Sequence, residues 1–341
     1  MADTPTSLGL LALAQAFRGD IVRQINRRTM LLKSLRIVAG EGKNVAWATE
    51  GDGQLAENYT EGADAVNFGG DAQAPAILNW GLYRSNIHVT QLAMDAAKTT
   101  MTPVGNRMLW GREVANASAK LGSMINQQMY TGPGTGTTIA GLDAAIGSIV
   151  NTYAGIDRTV AGNAYWRPIV VDPGVATAIT FPLIRDDLRK IFESSGENPD
   201  IALCSPSAFN AFGNLYDLNR RYVQVVNTAR GRVTLDAGYE GLEMDGCVFV
   251  KDKDAGLTAT PSIFYINTDA MEIQYLPTAN MSALPQMRIN ADDGFGDVPL
   301  GFNYEMLAKT GPSEKAEVTA TIQLVCNRPN SCGVRRNILV P

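Results

Sequence analysis

The stretch between Thr102 and Gly147 constrains the fold most. Pro103 stands where a helix would begin, a favoured place because the first turn leaves its N–H groups unpaired in any case. Residues 104–130 then carry the pattern of one long helix. Met108, Gly111, Ala115, Ser118, Gly122, Ile125 and Met129 fall on a single stripe. At 1.5 Å per residue such a helix spans about 40 Å, more than the width of a small domain, so it reads as a strut. Several stripe residues are small, which lets another element pack closely. The string Tyr130-Thr-Gly-Pro-Gly-Thr-Gly-Thr-Thr137 ends the helix, its glycines turning the chain. Gly141-Leu142-Asp143 opens a second, short apolar segment.

Upstream lies a part that cannot bury itself. Residues 38–76 are rich in Gly, Asp, Glu, Asn and Ala, with strand-like pieces at 44–49 and 65–68. Their apolar residues Trp47, Leu55, Tyr59, Val66 and Phe68 are too sparse for a core. A structureless insert of this length is uncommon in a compact domain, so the segment reads as a projecting two-stranded arm. An isolated hairpin is marginal in water, so this arm would gain stability on another surface. Residues 6–36 read as mostly helical, from Leu10, Leu13, Ala14, Phe17, Ile21 and Ile25. The polar face is basic, with Arg18, Arg23, Arg27, Arg28, Lys33 and Arg36 against Asp20. That is either a solvated helix face or a basic arm meeting an acidic partner surface or nucleic acid.

The remaining chain alternates strands and helices. Residues 80–94 show period-two alternation, Tyr83, Ser85, Ile87 and Val89 against Arg84, Asn86, His88 and Thr90. Residues 184–195 are amphipathic, with Ile184, Leu188, Ile191 and Phe192 opposite Arg185, Asp186, Asp187, Arg189 and Lys190. A short strand at 199–204 leads to Ser205 as helix cap and Pro206 as first helical residue. That helix carries Phe209, Phe212 and Leu215. Strands follow at 246–251, 262–267 and 271–276. In 316–326, Val318, Ala320, Ile322 and Leu324 alternate with Thr319, Thr321 and Gln323.

At 341 residues the chain is long enough for about two lobes. The net charge of −5 gives no support to a dedicated nucleic-acid binder. No apolar run reaches the roughly 18 residues that a membrane span needs, and the first residues lack the pattern of a signal peptide. The cysteines Cys204, Cys247, Cys326 and Cys332 have no metal-ligand spacing and read as reduced, small apolar residues. Cys326 and Cys332 are the one pair whose spacing leaves a disulfide open. Neither a metal nor a cofactor is called for. His88 reads as a surface residue, although any histidine-based catalysis would have to use it. The glycine string follows a helix and lacks the Gly-Lys-Ser/Thr ending of a phosphate loop. Asp252-Lys-Asp254-Ala-Gly256 faintly resembles a calcium loop but reads as a polar turn. Asp292, Asp293 and Asp297 form a small acidic cluster that reads as a solvated turn.

The order of parts resembles the major capsid proteins of tailed bacteriophages. The resemblance rests on Gln128-Met-Tyr-Thr-Gly-Pro-Gly-Thr-Gly136 with Gly141-Leu142, and on Asn198-Pro-Asp-Ile followed by a strand, Ser205-Pro and a helix with a buried aromatic. It implies an α+β, Hong-Kong-97-like major capsid fold. Residues 1–40 would be the N-terminal arm and 41–79 the extended loop. The peripheral domain would be 80–200 and 268–312, with spine helix 104–130, and the axial domain 201–267 and 313–341. The function implied is structural: hexamers and pentamers closing an icosahedral shell around packaged double-stranded DNA, in a virion assembled in the host cytoplasm. Implied partners are further copies of itself, a portal protein at one vertex, separate scaffolding and decoration proteins, and DNA contacted non-specifically, with no membrane. Candidates for contact between subunits are Arg18, Arg23, Arg27, Arg28, Trp47, Tyr59 and Phe68. Two rival readings stand beside it. One is an encapsulin-type bacterial nanocompartment shell. The other is an intracellular α+β enzyme centred on His88 or on the cluster of Asp292, Asp293 and Asp297.

Overall fold

The computed structural model describes residues 34–51, 73–100, 104–219, 242–258, 260–277, 303–309 and 311–340, with Leu31 and a few positions between 58 and 70. The chain divides into two compact units. The first takes Met1–Lys33, Leu82–Asn126 and Tyr275–Ile322; the second takes Ser34–Gly81, Gln127–Gln274 and Gln323–Pro341.

Arg36 does not end a helix, as the periodicity suggested. It opens strand β1 (Arg36–Ala39) and meets Glu272 at 2.8 Å. The rest of the expected N-terminal helix falls almost wholly outside the described residues. β2 (Asn44–Glu50) and β3 (Gln73–Asn79) form an antiparallel pair, in register from Asn44↔Asn79 to Glu50↔Gln73. The second strand expected at 65–68 also lies outside the described residues; the partner of β2 is 73–79. Alternation sorts this hairpin as a two-faced sheet must: Val45, Thr49, Ala76 and Leu78 are buried, while Ala46, Ala48, Pro75 and Ile77 face out.

β4 (Gly81–Thr90) follows the expected alternation, with Tyr83, Ile87 and Val89 buried and Arg84, Asn86 and His88 exposed. The strand stops at Thr90 rather than continuing to 94. Thr90 Oγ1 accepts the Ala93 N–H at 3.4 Å, capping α1 (Gln91–Thr100). α2 (Val104–Thr131) has 28 residues and spans about 42 Å. Ser118, Gly122, Ile125 and Met129 of the predicted stripe are buried, and Ala117 and Leu121 widen the buried face.

The glycine string does what its composition dictates. The Gly132 N–H donates to Gln128 O at 2.7 Å, and the Gly141 N–H returns to Gly132 O at 2.8 Å. A Cβ at Gly132 would lie 2.2 Å from the Ile139 carbonyl oxygen, and Gly134 holds φ +69°. Only glycine fits both demands without displacing backbone. α3 (Leu142–Ile146) follows, then the two-residue strands β5 (Thr152–Tyr153) and β6 (Ile156–Asp157), β7 (Ile169–Val171) and β8 (Thr177–Ala178).

α4 (Phe181–Ser195) is capped by Thr180, whose hydroxyl accepts the Leu183 N–H, and it ends at Gly196 with φ +75°. β9 (Ile201–Cys204) leads into α5 (Pro206–Asn219), where Ser205 Oγ accepts the Ala208 N–H at 3.3 Å, as its position predicted. Next come β10 (Leu242–Met244), β11 (Cys247–Lys251), β12 (Ile263–Ile266) and β13 (Met271–Tyr275). In the first unit, β14 (Asn303–Leu307) pairs antiparallel with β15 (Ser313–Cys326), and β4 also pairs with β15. The chain closes with β16 (Gly333–Arg335) and β17 (Ile338–Leu339).

The second unit is organised by a six-stranded sheet in the order β10-β11-β9-β12-β16-β7. β9 runs parallel to β11 and antiparallel to β12, and every residue of β9 and β12 is buried. On one face Ile184, Leu188 and Ile191 of α4 and Ala208 and Phe212 of α5 pack against Ala202, Cys204, Phe249, Ile263 and Tyr265. Phe212 and Phe249 approach to 4.5 Å between ring centroids. On the other face Tyr130 meets Phe264 edge-on at 5.9 Å.

Three sequence expectations fail here. Asp187, placed on the polar face of α4, is only 1% exposed and forms a bidentate pair with Arg335, while Tyr265 donates to it at 3.1 Å. Phe192, placed on the apolar face, is 50% exposed. Gln323, on the polar side of its strand, is buried and accepts the Ala140 N–H at 2.9 Å.

Candidate assembly surface

The hairpin β2–β3 carries Trp47, one of the contact candidates read from the sequence. Its seat lies within the second unit. The Ile77 N–H donates to Ala154 O at 2.9 Å. Thr49 Oγ1 donates to Ala74 O at 2.8 Å and stands 3.4 Å from the Tyr165 hydroxyl. Trp47 lies tilted 6.4 Å from Trp166, which in turn stacks on Tyr153 at 6.0 Å. The Trp47 indole N–H is buried with no acceptor among the described residues.

Arg158 holds this aromatic seat in place. It is fully buried. Its Nε donates to Trp166 O at 2.9 Å, Nη1 to Ser148 O and Asn151 Oδ1 at 2.9 and 2.8 Å, and Nη2 to Ala145 O at 2.5 Å. Its guanidinium carbon stands 5.1 Å over the Tyr153 ring. Burial lowers its pKa to about 10, so the group stays charged at neutral pH. Each of its three nitrogens meets an oxygen, and the Ala144 and Ala145 carbonyls lie in α3, whose late carbonyls favour a cation. Burial likewise pushes the Tyr153 hydroxyl up, and its oxygen accepts the Cys326 N–H at 2.9 Å.

Beside the seat opens a cavity of about 650 Å³, lined among others by Trp47, Tyr165, Trp166, Asp269, Asn327 and Arg328. The outward face of the hairpin carries Ala46 opposite Ile77 and Ala48 opposite Pro75, and Ile77 is 45% exposed.

Of the seven contact candidates read from the sequence, Trp47 lies among the described residues and sits in this seat. Arg18, Arg23, Arg27, Arg28, Tyr59 and Phe68 lie outside them. His88 is exposed on β4. The acidic cluster of Asp292, Asp293 and Asp297 lies outside the described residues. Asp252 and Asp254, at the turn expected there, are buried. The Tyr130 hydroxyl donates to Asp252 at 2.9 Å, and burial, with Asp252 adding to it, drives the phenol well above its usual range. Among the described residues, no three His, Cys, Asp or Glu side chains are grouped to hold a metal, and no helix is long and apolar enough to cross a membrane. Sequence reasoning missed Arg158 and Asp187, because nothing in a single helix or loop pattern marks a charge that will be buried.

Solved structures similar to this one are viral and compartment shells. The cyanophage A-1(L) capsid subunit matches with a TM-score of 0.74 at 21% identity, covering 95% of this chain and 96% of that one. The capsid of Myoviridae phage XM1 matches with a TM-score of 0.55 at 11% identity, covering 96% and 97%. The SrpI encapsulin of Synechococcus elongatus matches with a TM-score of 0.56 at 13% identity, covering 99% and 96%. Comparison with curated proteins returns no match. The fold is therefore the Hong-Kong-97-like α+β fold of shell-forming subunits. Within that class the chain belongs to the SU10 major capsid protein family, whose model matches residues 84–339. It is a major capsid protein of the tailed phages. The encapsulin reading yields to it, since the family matched is a phage one and the encapsulin likeness is the weaker.

Proposed function

We propose that copies of this chain form hexamers and pentamers that close an icosahedral shell around packaged double-stranded DNA, with the β2–β3 hairpin laid over a neighbouring copy. The outward face of that hairpin carries the reading: Ala46, Ala48, Pro75 and Ile77 line it, and Ile77 is 45% exposed. Contacts of this kind are large and apolar in obligate assemblies. Residues 1–40 act as an arm in the same contacts, through Arg18, Arg23, Arg27 and Arg28, and Trp47, Tyr59 and Phe68 serve the loop. The peripheral domain is 80–200 with 268–312, and the axial domain 201–267 with 313–341. The role is structural, with no catalytic centre. A net charge of −5 suits a wall that should not cling to DNA. Assembly takes place in the host cytoplasm, with a portal protein at one vertex and separate scaffolding and decoration proteins.

Deleting residues 50–71 tests the hairpin's part. The shortened chain is expected to remain soluble and to melt cooperatively, because the seat built on Trp166 and Arg158 is untouched, yet to close no shells under electron microscopy. Unfolding of the isolated subunit by that deletion would show the loop to be a piece of the core instead.

A further inference from the structure

The cavity beside the hairpin seat has the lining of a cation site. Trp47, Tyr165 and Trp166 supply aromatic surface to it, and Glu50 and Asp269 add two carboxylates. Trp166 is only 2% exposed, its ring stacked on Tyr153. Trp47 and Tyr165 are half-buried, so each keeps ring surface to offer. An aromatic face attracts a cation lying over it, more strongly as water is excluded. Arg328, also in the lining, is engaged by Glu197. The lining therefore keeps an excess of negative charge. Trp47 adds a second demand: its indole N–H is buried with no acceptor among the described residues. A buried donor of that kind calls for an incoming oxygen.

Charge separates the segments that could enter. Residues 52–72 carry Asp52, Glu57, Glu61, Asp64 and Asp71 without a single Lys or Arg, so this loop from another copy would be repelled. Residues 17–28 carry Arg18, Arg23, Arg27 and Arg28 against Asp20. A guanidinium suits the lining better than an ammonium does. It is planar, stacks on aromatic faces and presents a fork of N–H groups to carboxylates. Residues 220–232 are basic as well. The arm, however, shares the hairpin's contacts between copies, and the cavity opens beside the hairpin.

We propose that the cavity receives an arginine of residues 18–28 from a second copy of this chain, held by the Trp47 and Tyr165 rings and by Glu50 and Asp269. The contact presupposes that copies associate into a shell, and it gives the arm a seat on the neighbouring copy. A main-chain carbonyl beside the inserted arginine supplies the acceptor for the Trp47 N–H. Glu50 and Asp269 are both exposed, so the contact weakens as salt screens them.

Cross-linking in assembled full-length protein tests this. Cys204, Cys247, Cys326 and Cys332 are buried as free thiols, so an introduced, accessible cysteine is the preferred target of a bis-maleimide. Asn330→Cys marks the cavity, with Asn327→Cys as a second mark should the first assemble poorly; both leave the two carboxylates in place. Gly19→Cys, Gln24→Cys, Asn26→Cys and Thr29→Cys, one per chain, mark the arm and leave its arginines intact. Cavity-marked and arm-marked chains are mixed, assembled and treated with a bis-maleimide about as long as an arginine side chain. At least one arm position is expected to give a chain dimer on denaturing electrophoresis, joined at the two marks by mass spectrometry. Adding Asp269→Lys to the cavity-marked chain should lower the dimer yield severalfold, and so should raised salt. An unchanged yield in both would overturn the proposed role of charge. Shells that form normally while no arm position cross-links overturn the contact and leave the shell reading standing. A dimer from Asn58→Cys or Asn227→Cys with none from the arm overturns it too. So does a cross-link confined within single chains that carry both marks. If the parent protein closes no shells, the shell reading falls and this contact with it.

Discussion

Replacing Asp187 by asparagine is expected to destabilise the subunit by about 3–5 kcal/mol. The carboxylate is buried under α4 and takes both Arg335 Nη2, at 2.6 Å, and Arg335 Nε, with the Tyr265 hydroxyl at 3.1 Å. Asparagine is nearly the same shape, so the loss is electrostatic: the Arg335 charge stays in the sheet with nothing to balance it. Taking both partners away together is a different experiment. Asp187→Leu with Arg335→Leu removes two desolvated charges as well as their attraction, and should recover most of the lost stability. Urea unfolding of the unassembled subunit reads both outcomes. A single variant as stable as the parent would mean that the pair is solvated in solution.

Arg158→Met is expected to cost about as much, 3–5 kcal/mol, by another route. No carboxylate is involved. Three nitrogens are withdrawn from the oxygens of Ala144, Ala145, Ser148, Asn151 and Trp166, and methionine fills the volume without replacing one of their hydrogen bonds. Arg158→Lys should recover only a small part, since one ammonium cannot span the fork of carbonyls that the guanidinium spans. Amide hydrogen exchange distinguishes this from general destabilisation. Protection should fall first in 142–153 and 166, and in the β2–β3 hairpin that rests on Trp166. Equal loss throughout the second unit would deny Arg158 its local role.

These two side chains also mark where the sequence stops being readable. Local pattern shows clearly whatever is decided within one element: the glycines that end α2, the Ser205 cap of α5, and the alternation of β4 and of β15 up to Ile322. It misleads where the deciding neighbour is remote in the chain. Asp187 looks solvated beside Asp186 and Arg189 until Arg335, 148 residues later, is brought against it by the β12–β16 pairing. Gln323 breaks the polar-out rule because Ala140 and Asn79 both need a partner at that point. Thr90 reads as strand from alternation and acts as a helix cap through one hydroxyl. The first strand of the hairpin was legible from the strand-like run at 44–49. Its second strand, Gln73–Asn79, lay at the end of the expected loop, because its two alanines, proline and asparagine carry little strand signal. Of the contact candidates, Trp47 stood out as an aromatic in a polar stretch. Its neighbours Tyr165, Trp166 and Arg158 did not, since only the fold brings them to it.

Electron microscopy of the full-length protein, expressed with the gene products that accompany it, tests the central claim most directly. Closed shells of uniform size, with five- and six-fold clusters of subunits on their surface, are the result expected of this chain. A population that stays monomeric at every concentration and salt, in the infected cell as well as after purification, would contradict it.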